Sequence, residues 1–308
     1  MICSSNSCSM SKTSRLHFLH NRPLDERQLV NQFDRAVIVG VGLLGGSIGM
    51  ALRARKIAKQ VIGFSPRRNS LETAIARGAI DASADSIAEA CCGAELAIIC
   101  TPVQSVADFA QQCFAGMPAG LITDVGSTKQ SIVAALAQSP VAANFVGSHP
   151  LAGSEKSGVE HARENLLDRK LVVITPDQTS DAIRVQATEQ LWQSLGARTC
   201  RMSPNEHDAA VARTSHLPHI LASALAASTP ADLLPLAASG WRDTTRVASG
   251  GADLWRQILE ENRQPVIKVL EEFASDLRQW LIAMRSGDGK QLEQLLLEGK
   301  QKRDALGN

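Results

Sequence analysis

Through the first two thirds of the chain, short apolar runs alternate with helix-forming stretches. The runs are Ala36-Val37-Ile38-Val39, Val61-Ile62-Gly63-Phe64, Leu96-Ala97-Ile98-Ile99-Cys100, Leu121-Ile122-Thr123-Asp124, Phe145-Val146 and Leu171-Val172-Val173-Ile174. They are nearly continuous rather than alternating with polar residues, which is the mark of strands buried on both faces. A good helix former follows Gly49, a shorter one spans 71–77 and stops at Gly78, and a longer one spans about 180–195 before a last strand near 198–202. Strands alternating with helices predict a parallel, doubly wound α/β domain over residues 34–202.

Past Ser203 the strand pattern stops. Ser203, Pro204 and Glu206 stand in the positions of an N-cap, a first helical residue and the far half of a capping box. Apolar positions then recur at helical spacing around 220–227, 254–284 and 290–305, so residues 203–308 are predicted to be an all-helical domain. Long helices with more apolar face than one small domain covers predict a homodimer through this region.

Composition narrows the classes. The 308 residues carry 32 Lys and Arg against 31 Asp and Glu, a net charge of +1, which argues against a nucleic-acid partner. No apolar run approaches the ~20 residues of a membrane-spanning helix, so no membrane role is expected. Seven scattered cysteines, an odd number without a metal-like spacing, predict free thiols in a reducing compartment and a cytoplasmic location. Tyrosine is absent, which removes any tyrosine acid and the Tyr/Lys pair of short-chain dehydrogenases. Residues 1–33, rich in Ser, Arg, His and Asn, are expected to be a flexible tail, although a transit peptide shares that composition.

The first apolar run leads directly into Gly40-Val41-Gly42-Leu43-Leu44-Gly45-Gly46-Ser47, and a helix follows. The order strand, G-x-G-x-x-G, helix is the dinucleotide-binding fingerprint. Gly40 permits the tight turn, Gly42 the approach of a pyrophosphate, and Gly45 close packing of helix on strand. Leu43 and Leu44 complete the turn, and Thr101-Pro102 after the fourth run would lie on the nicotinamide side. An NAD enzyme usually presents Asp or Glu at the end of the second strand. Here Ser65, Arg67 and Arg68 stand there and suit a 2′-phosphate, so NADP is expected ahead of NAD.

The candidate chemistry lies further on. Residues 147–158 hold His149, Ser148, Glu155 and Lys156 among three glycines, a polar loop expected after a short strand. Four histidines are candidates: 149, 207, 216 and 219. His207 reads most simply as a structural hydrogen-bonding residue beside Asp208. His216 and His219 flank Pro218, and no carboxylate or cysteine pattern supports a metal there. Arg242, Asp243 and Arg246 could be a surface ion pair, or a guanidinium site for a dicarboxylate with Asp243 holding it.

With these motifs in view, the chain resembles the prephenate/arogenate dehydrogenase family. The resemblance rests on 39–47, Asp124-Val125-Gly126-Ser127-Thr128-Lys129, 147–158, Ser215-His216-Leu217-Pro218-His219 and Arg242-Asp243-Thr244-Thr245-Arg246. It implies oxidative decarboxylation of prephenate with NAD(P)+ in tyrosine biosynthesis, or the equivalent reaction of arogenate. It also implies His149 as the catalytic base, Ser127 as its hydrogen-bonding hydroxyl, and Arg246 as the substrate carboxylate anchor. His219 and Ser148 would line the substrate site, with Glu155 near its mouth. Where relatives usually carry Asn or Asp and then Pro after 248–250, this chain has Gly251-Ala252, so that loop is expected to be more mobile. Two rivals are a β-hydroxyacid dehydrogenase, which needs a lysine in the first helix of the helical domain, and a non-catalytic dinucleotide sensor.

Overall fold

A computed structural model describes residues 32–153 and 156–307. Eight strands form one sheet in the order β3-β2-β1-β4-β5-β6-β7-β8. Its strands are β1 (Phe33–Val39), β2 (Ala58–Phe64), β3 (Ala82–Ser83), β4 (Leu96–Ile99), β5 (Leu121–Asp124), β6 (Phe145–Pro150), β7 (Leu171–Thr175) and β8 (Arg198–Arg201). Successive side chains of a strand point to opposite faces. Ala36, Ile38 and Ile98 therefore enter one core layer with α1 (Leu43–Ala54), α2 (Arg68–Ala76) and α6 (Ala182–Ser194). Val37, Val39 and Ile99 enter the other, with α3 (Ile87–Cys91), α4 (Val106–Gly116) and α5 (Gln130–Leu136). Covering on both faces is why the runs are apolar without alternation.

The sheet is not wholly parallel. β6 and β7 pair antiparallel, with His149 opposite Val173, while β7 and β8 are parallel to each other. A parallel return needs a crossover, usually a helix. Between β6 and β7 the described chain has only a 3-10 turn at Val159–His161, which packs on α1. An ideal Cβ on Gly46 would lie 2.8 Å from Val159 Cγ2, so that glycine sets how closely the turn and the helix approach.

β6 also runs further than its two apolar residues suggest. All six residues Phe145–Pro150 are buried, so Ser148 and His149 stand on a strand and not in a loop. Ladder bonds to β7 satisfy this polar backbone on one side, and the Asp124 carboxylate accepts from Ser148 N at 2.9 Å on the other.

After β8 the chain is helical. α7 (Pro204–Val211) opens with the full capping box of Ser203 and Glu206. A π-helical turn at Ala212–His216 leads without a break into α8 (Leu217–Ser228), and Pro218, which cannot donate a helical bond, stands directly after this wider turn. α9 (Ser239–Thr245) and a 3-10 turn at Arg246–Ser249 follow. The long periodic stretch after 252 is two helices, α10 (Ala252–Glu261) and α11 (Arg263–Ser286), separated at Asn262. Pro265 cannot donate the bond that would carry a helix through this point. The buried Asn262 amide instead donates to Asp208 O at 2.8 Å and contacts His216 Nδ1 at 3.1 Å. α12 (Gly289–Ala305) ends the described chain.

Candidate active site

The strand order reverses between β1 and β4, so their carboxyl ends open a crevice, the usual ligand position in such sheets. Gly40 takes φ +94, and a Cβ there would lie 2.7 Å from Cys100 O. A Cβ on Gly45 would lie 2.1 Å from Gly40 O, so the helix can start this close to the strand only with glycine. Gly42 differs, because a Cβ there would meet nothing within 4 Å. The first turn of α1 has no side-chain cap and no acidic residue. An open glycine beside uncapped N–H groups fits a pyrophosphate. Thr101, next to Gly40, keeps a buried hydroxyl without a partner, a further group that a dinucleotide could engage.

At the tip of β2, the Ser65 hydroxyl accepts from Arg67 N at 3.2 Å, which shapes the turn. Arg68 pairs with Asp85 at 3.0 Å, both side chains exposed. The two guanidiniums expected to act together are therefore unequal, because Asp85 occupies Arg68 while Arg67 forms no ion pair among the described residues. The spacing of Asp85 seventeen residues away hid this.

Across the sheet edge lies a buried polar cluster drawn from both domains. His149 Nδ1 is 2.8 Å from His207 Nε2, and His207 Nδ1 is 2.7 Å from Asp208 Oδ1. Asp208 also accepts from the backbone N–H groups of Lys129 and Gln130, each at 2.9 Å, which caps the start of α5. The fully buried Lys129 ammonium pairs with Asp124. Burial pushes Lys129 below its ordinary pKa, against the upward pull of Asp124 and Asp208.

Burial also holds His149 well below the usual imidazole range, reinforced by His207, Lys129 and His216. His216 is lowered to about 4, again by burial first, although Asp208 pulls it upward. Nearby, His219 stacks on Trp255 with ring centroids 3.5 Å apart, and its Nδ1 is buried without a partner. The pair lines an open cleft of about 540 Å³ that also includes Ser223, Ala248 and Arg263. Gly250 is the close neighbour of this stack, since a Cβ there would lie 2.5 Å from the Trp255 indole nitrogen. A neutral imidazole at the carboxyl edge of a dinucleotide sheet can accept a proton while a hydride leaves the neighbouring carbon.

Two family models match the chain one after the other. The nucleotide-binding domain of prephenate dehydrogenase matches residues 48–201, and the dimerization domain of prephenate dehydrogenase matches residues 203–298. The chain belongs to the prephenate dehydrogenase family. A prephenate dehydrogenase of Bacillus subtilis is 36% identical over 282 residues, covering 89% of this chain and 76% of the relative. A cyclohexadienyl dehydrogenase of Zymomonas mobilis is 30% identical, covering 89% of this chain and 96% of that one. Among solved structures, Aquifex aeolicus prephenate dehydrogenase in complex with hydroxyphenyl propionate and NAD+ has a TM-score of 0.82 and 32% identity. It covers 89% of this chain and 98% of its own. The family removes the β-hydroxyacid dehydrogenase reading, and α7 indeed contains no lysine.

Not every expected residue of this prephenate dehydrogenase family site comes together. Ser148 is fully buried and its hydroxyl is already partnered. Strand alternation turns it away from His149, and its hydroxyl is taken by Thr123 Oγ1 at 2.8 Å and Trp192 Nε1 at 2.9 Å. Ser127, half-buried after β5, makes no hydrogen bond among the described residues, and the Nδ1 of His149 goes to His207 instead. Arg246 is exposed at the start of its 3-10 turn. Asp243 forms no ion pair among the described residues and so does not hold it. Glu155 lies outside the described residues. His207, read from the sequence as merely structural, sits at the centre of the cluster. The adjacent His207-Asp208 pair just inside a capped helix was the signal.

Proposed function

We propose that the protein catalyses oxidative decarboxylation of prephenate to 4-hydroxyphenylpyruvate with NAD(P)+, in tyrosine biosynthesis. The observation that carries this reading is the buried imidazole of His149, held neutral at the dinucleotide edge of the sheet. Bound in the crevice by the 40–45 turn and Thr101-Pro102, the nicotinamide would accept the hydride from the ring carbinol carbon. His149 takes the hydroxyl proton as the carbonyl forms. The ring carboxylate then leaves as CO2, its electron pair enters the ring, which becomes aromatic, and the ring oxygen takes back the proton from His149. Ser127 is assigned to the reacting hydroxyl, Arg246 to a substrate carboxylate, and His219, with its unpartnered nitrogen, to the substrate side chain. Leu43 and Leu44 shape the mouth of the phosphate turn.

NADP is proposed ahead of NAD, on Ser65 and the uncommitted Arg67 at the tip of β2. A homodimer through the helical domain is proposed on the exposed apolar side chains there, among them Leu236, Leu281, Ile282, Met284 and Leu296. Five described cysteines are free thiols, in keeping with a cytoplasmic enzyme, and no helix among the described residues is long and apolar enough to cross a membrane.

Steady-state turnover of prephenate and arogenate with NAD+ and NADP+ is the test. Prephenate with NADP+ is expected to give the highest kcat/KM. A preference for arogenate or NAD+ corrects the substrate or the cofactor separately. No turnover of either acid returns the protein to a dinucleotide sensor.

A further inference from the structure

The donors and acceptors around Asp208 constrain more than geometry. A carboxylate only accepts. Oδ1 of Asp208 receives Lys129 N–H and faces His207 Nδ1, while Oδ2 receives Gln130 N–H. The two backbone groups can only donate, so the third contact is made without conflict only if His207 carries its proton on Nδ1. In neutral His207, Nε2 is then a bare acceptor. At 2.8 Å it faces His149 Nδ1, which must donate to it. The Nε2 of His149 is left without a proton.

We propose that Asp208, acting through His207, locks His149 as its Nδ1–H tautomer, so that Nε2 is the proton-accepting atom. His207 and Asp208 are thus positioning residues, built into the helical domain and acting on a base carried by the α/β domain. The same Asp208 joins the domains by capping α5, and Asn262 holds its backbone carbonyl. Base and domain junction are therefore one hydrogen-bonded unit. The ionisable groups acting on His149 are His207 from α7, Lys129 from the turn before α5 and His216 from the π-helical turn, with Asp208 behind His207 and Asp124 paired to Lys129.

The inference rests on His149 as the base, and the experiment separates the two. Full-length enzyme with 15N-labelled histidine is examined at pH 8 by long-range 1H–15N correlation, with His149 assigned by its loss in His149→Asn. The neutral Nδ1–H pattern is expected. The Nε2–H pattern, or an imidazolium at His207, overturns the lock. This readout does not depend on turnover. His207→Gln keeps an amide oxygen to accept from His149 and should retain the tautomer and most of kcat. His207→Leu removes the acceptor and should lower kcat by ~10–10² with KM for NAD(P)+ unchanged. Equal kcat in the Gln and Leu variants overturns the proposal. If His149→Asn abolishes turnover while His207→Leu is fully active, the lock fails and the base stands. If His149→Asn is active, the base assignment fails, and the spectrum alone judges the tautomer. Should His207→Leu not fold by thermal melting, the wild-type spectrum and the Gln variant decide.

Discussion

The phosphate turn and the histidine cluster lie on the same edge of one sheet and are built in opposite ways. The turn is built on missing side chains, in the six residues Gly40–Gly45, and leaves the first N–H groups of α1 without a side-chain cap. The cluster works through side chains from β5, β6, the start of α5, α7 and the π-helical turn, and it buries ionisable groups together in two domains. A cradle of backbone is local, and at Gly40 and Gly45 it leaves no room for a Cβ. A cluster of side chains is global and tolerates nothing removed, because each buried polar group is another's partner.

The largest expected effect breaks the cluster. His149→Asn should lower kcat by ~10²–10⁴ while dinucleotide affinity, measured by fluorescence titration, is retained. Near-normal turnover would end the assignment of the base.

The next pair sharpens the account of the turn. Gly45→Ala places a methyl 2.1 Å from Gly40 O and should both destabilise the free protein and weaken NAD(P)+ binding. Strain of this kind typically costs ~1–3 kcal/mol, read as a lower denaturation midpoint. Gly42→Ala meets no neighbour and should leave that midpoint unchanged while dinucleotide affinity falls about tenfold or more. Equal behaviour of the two variants would mean that Gly42 does not face the cofactor.

Smaller again, Arg246→Ala should raise KM for the substrate by roughly 10–100-fold, the worth of a charged hydrogen bond, with kcat less affected. An unchanged KM would release Arg246 from the anchor role.

The mildest effect is on pH. A depressed histidine pKa means the unfolded chain binds the proton more readily, so the stabilisation is complete above pH 6.5 and is lost on acidification. The acid limb of kcat/KM should accordingly have its midpoint below pH 6.5, and a midpoint at or above it would contradict a buried neutral base. Denaturant melts should show the fold weakening between pH 7 and pH 4, through which His216 is titrated.

The two regions also differ in how far they could be read without coordinates. Gly40, Gly42 and Gly45 declare themselves because strand, turn and helix are consecutive, and each glycine answers a local steric demand. The apolar runs declared the sheet, since strands covered on both faces need side chains of one kind. The π-helical turn, the break at Asn262 and the antiparallel β7 carry no comparable local mark. The end of β6 misled for a related reason. Gly147 to Pro150 look like loop, yet ladder bonds and the Asp124 carboxylate satisfy that backbone inside the protein.

By itself, the sequence determined that this is a dinucleotide-binding α/β domain followed by helices, and it put His149, Ser127 and Arg246 in the stretches that carry the resemblance to the family. Those statements depend on neighbours along the chain. Only the tertiary structure decided that Ser148 faces Trp192 and away from His149, that Asp85 occupies Arg68, and that His207 stands between His149 and Asp208. Hydrogen bonds act across about 3 Å of space between residues 58 or 79 positions apart, and no local pattern records which donor will find which acceptor.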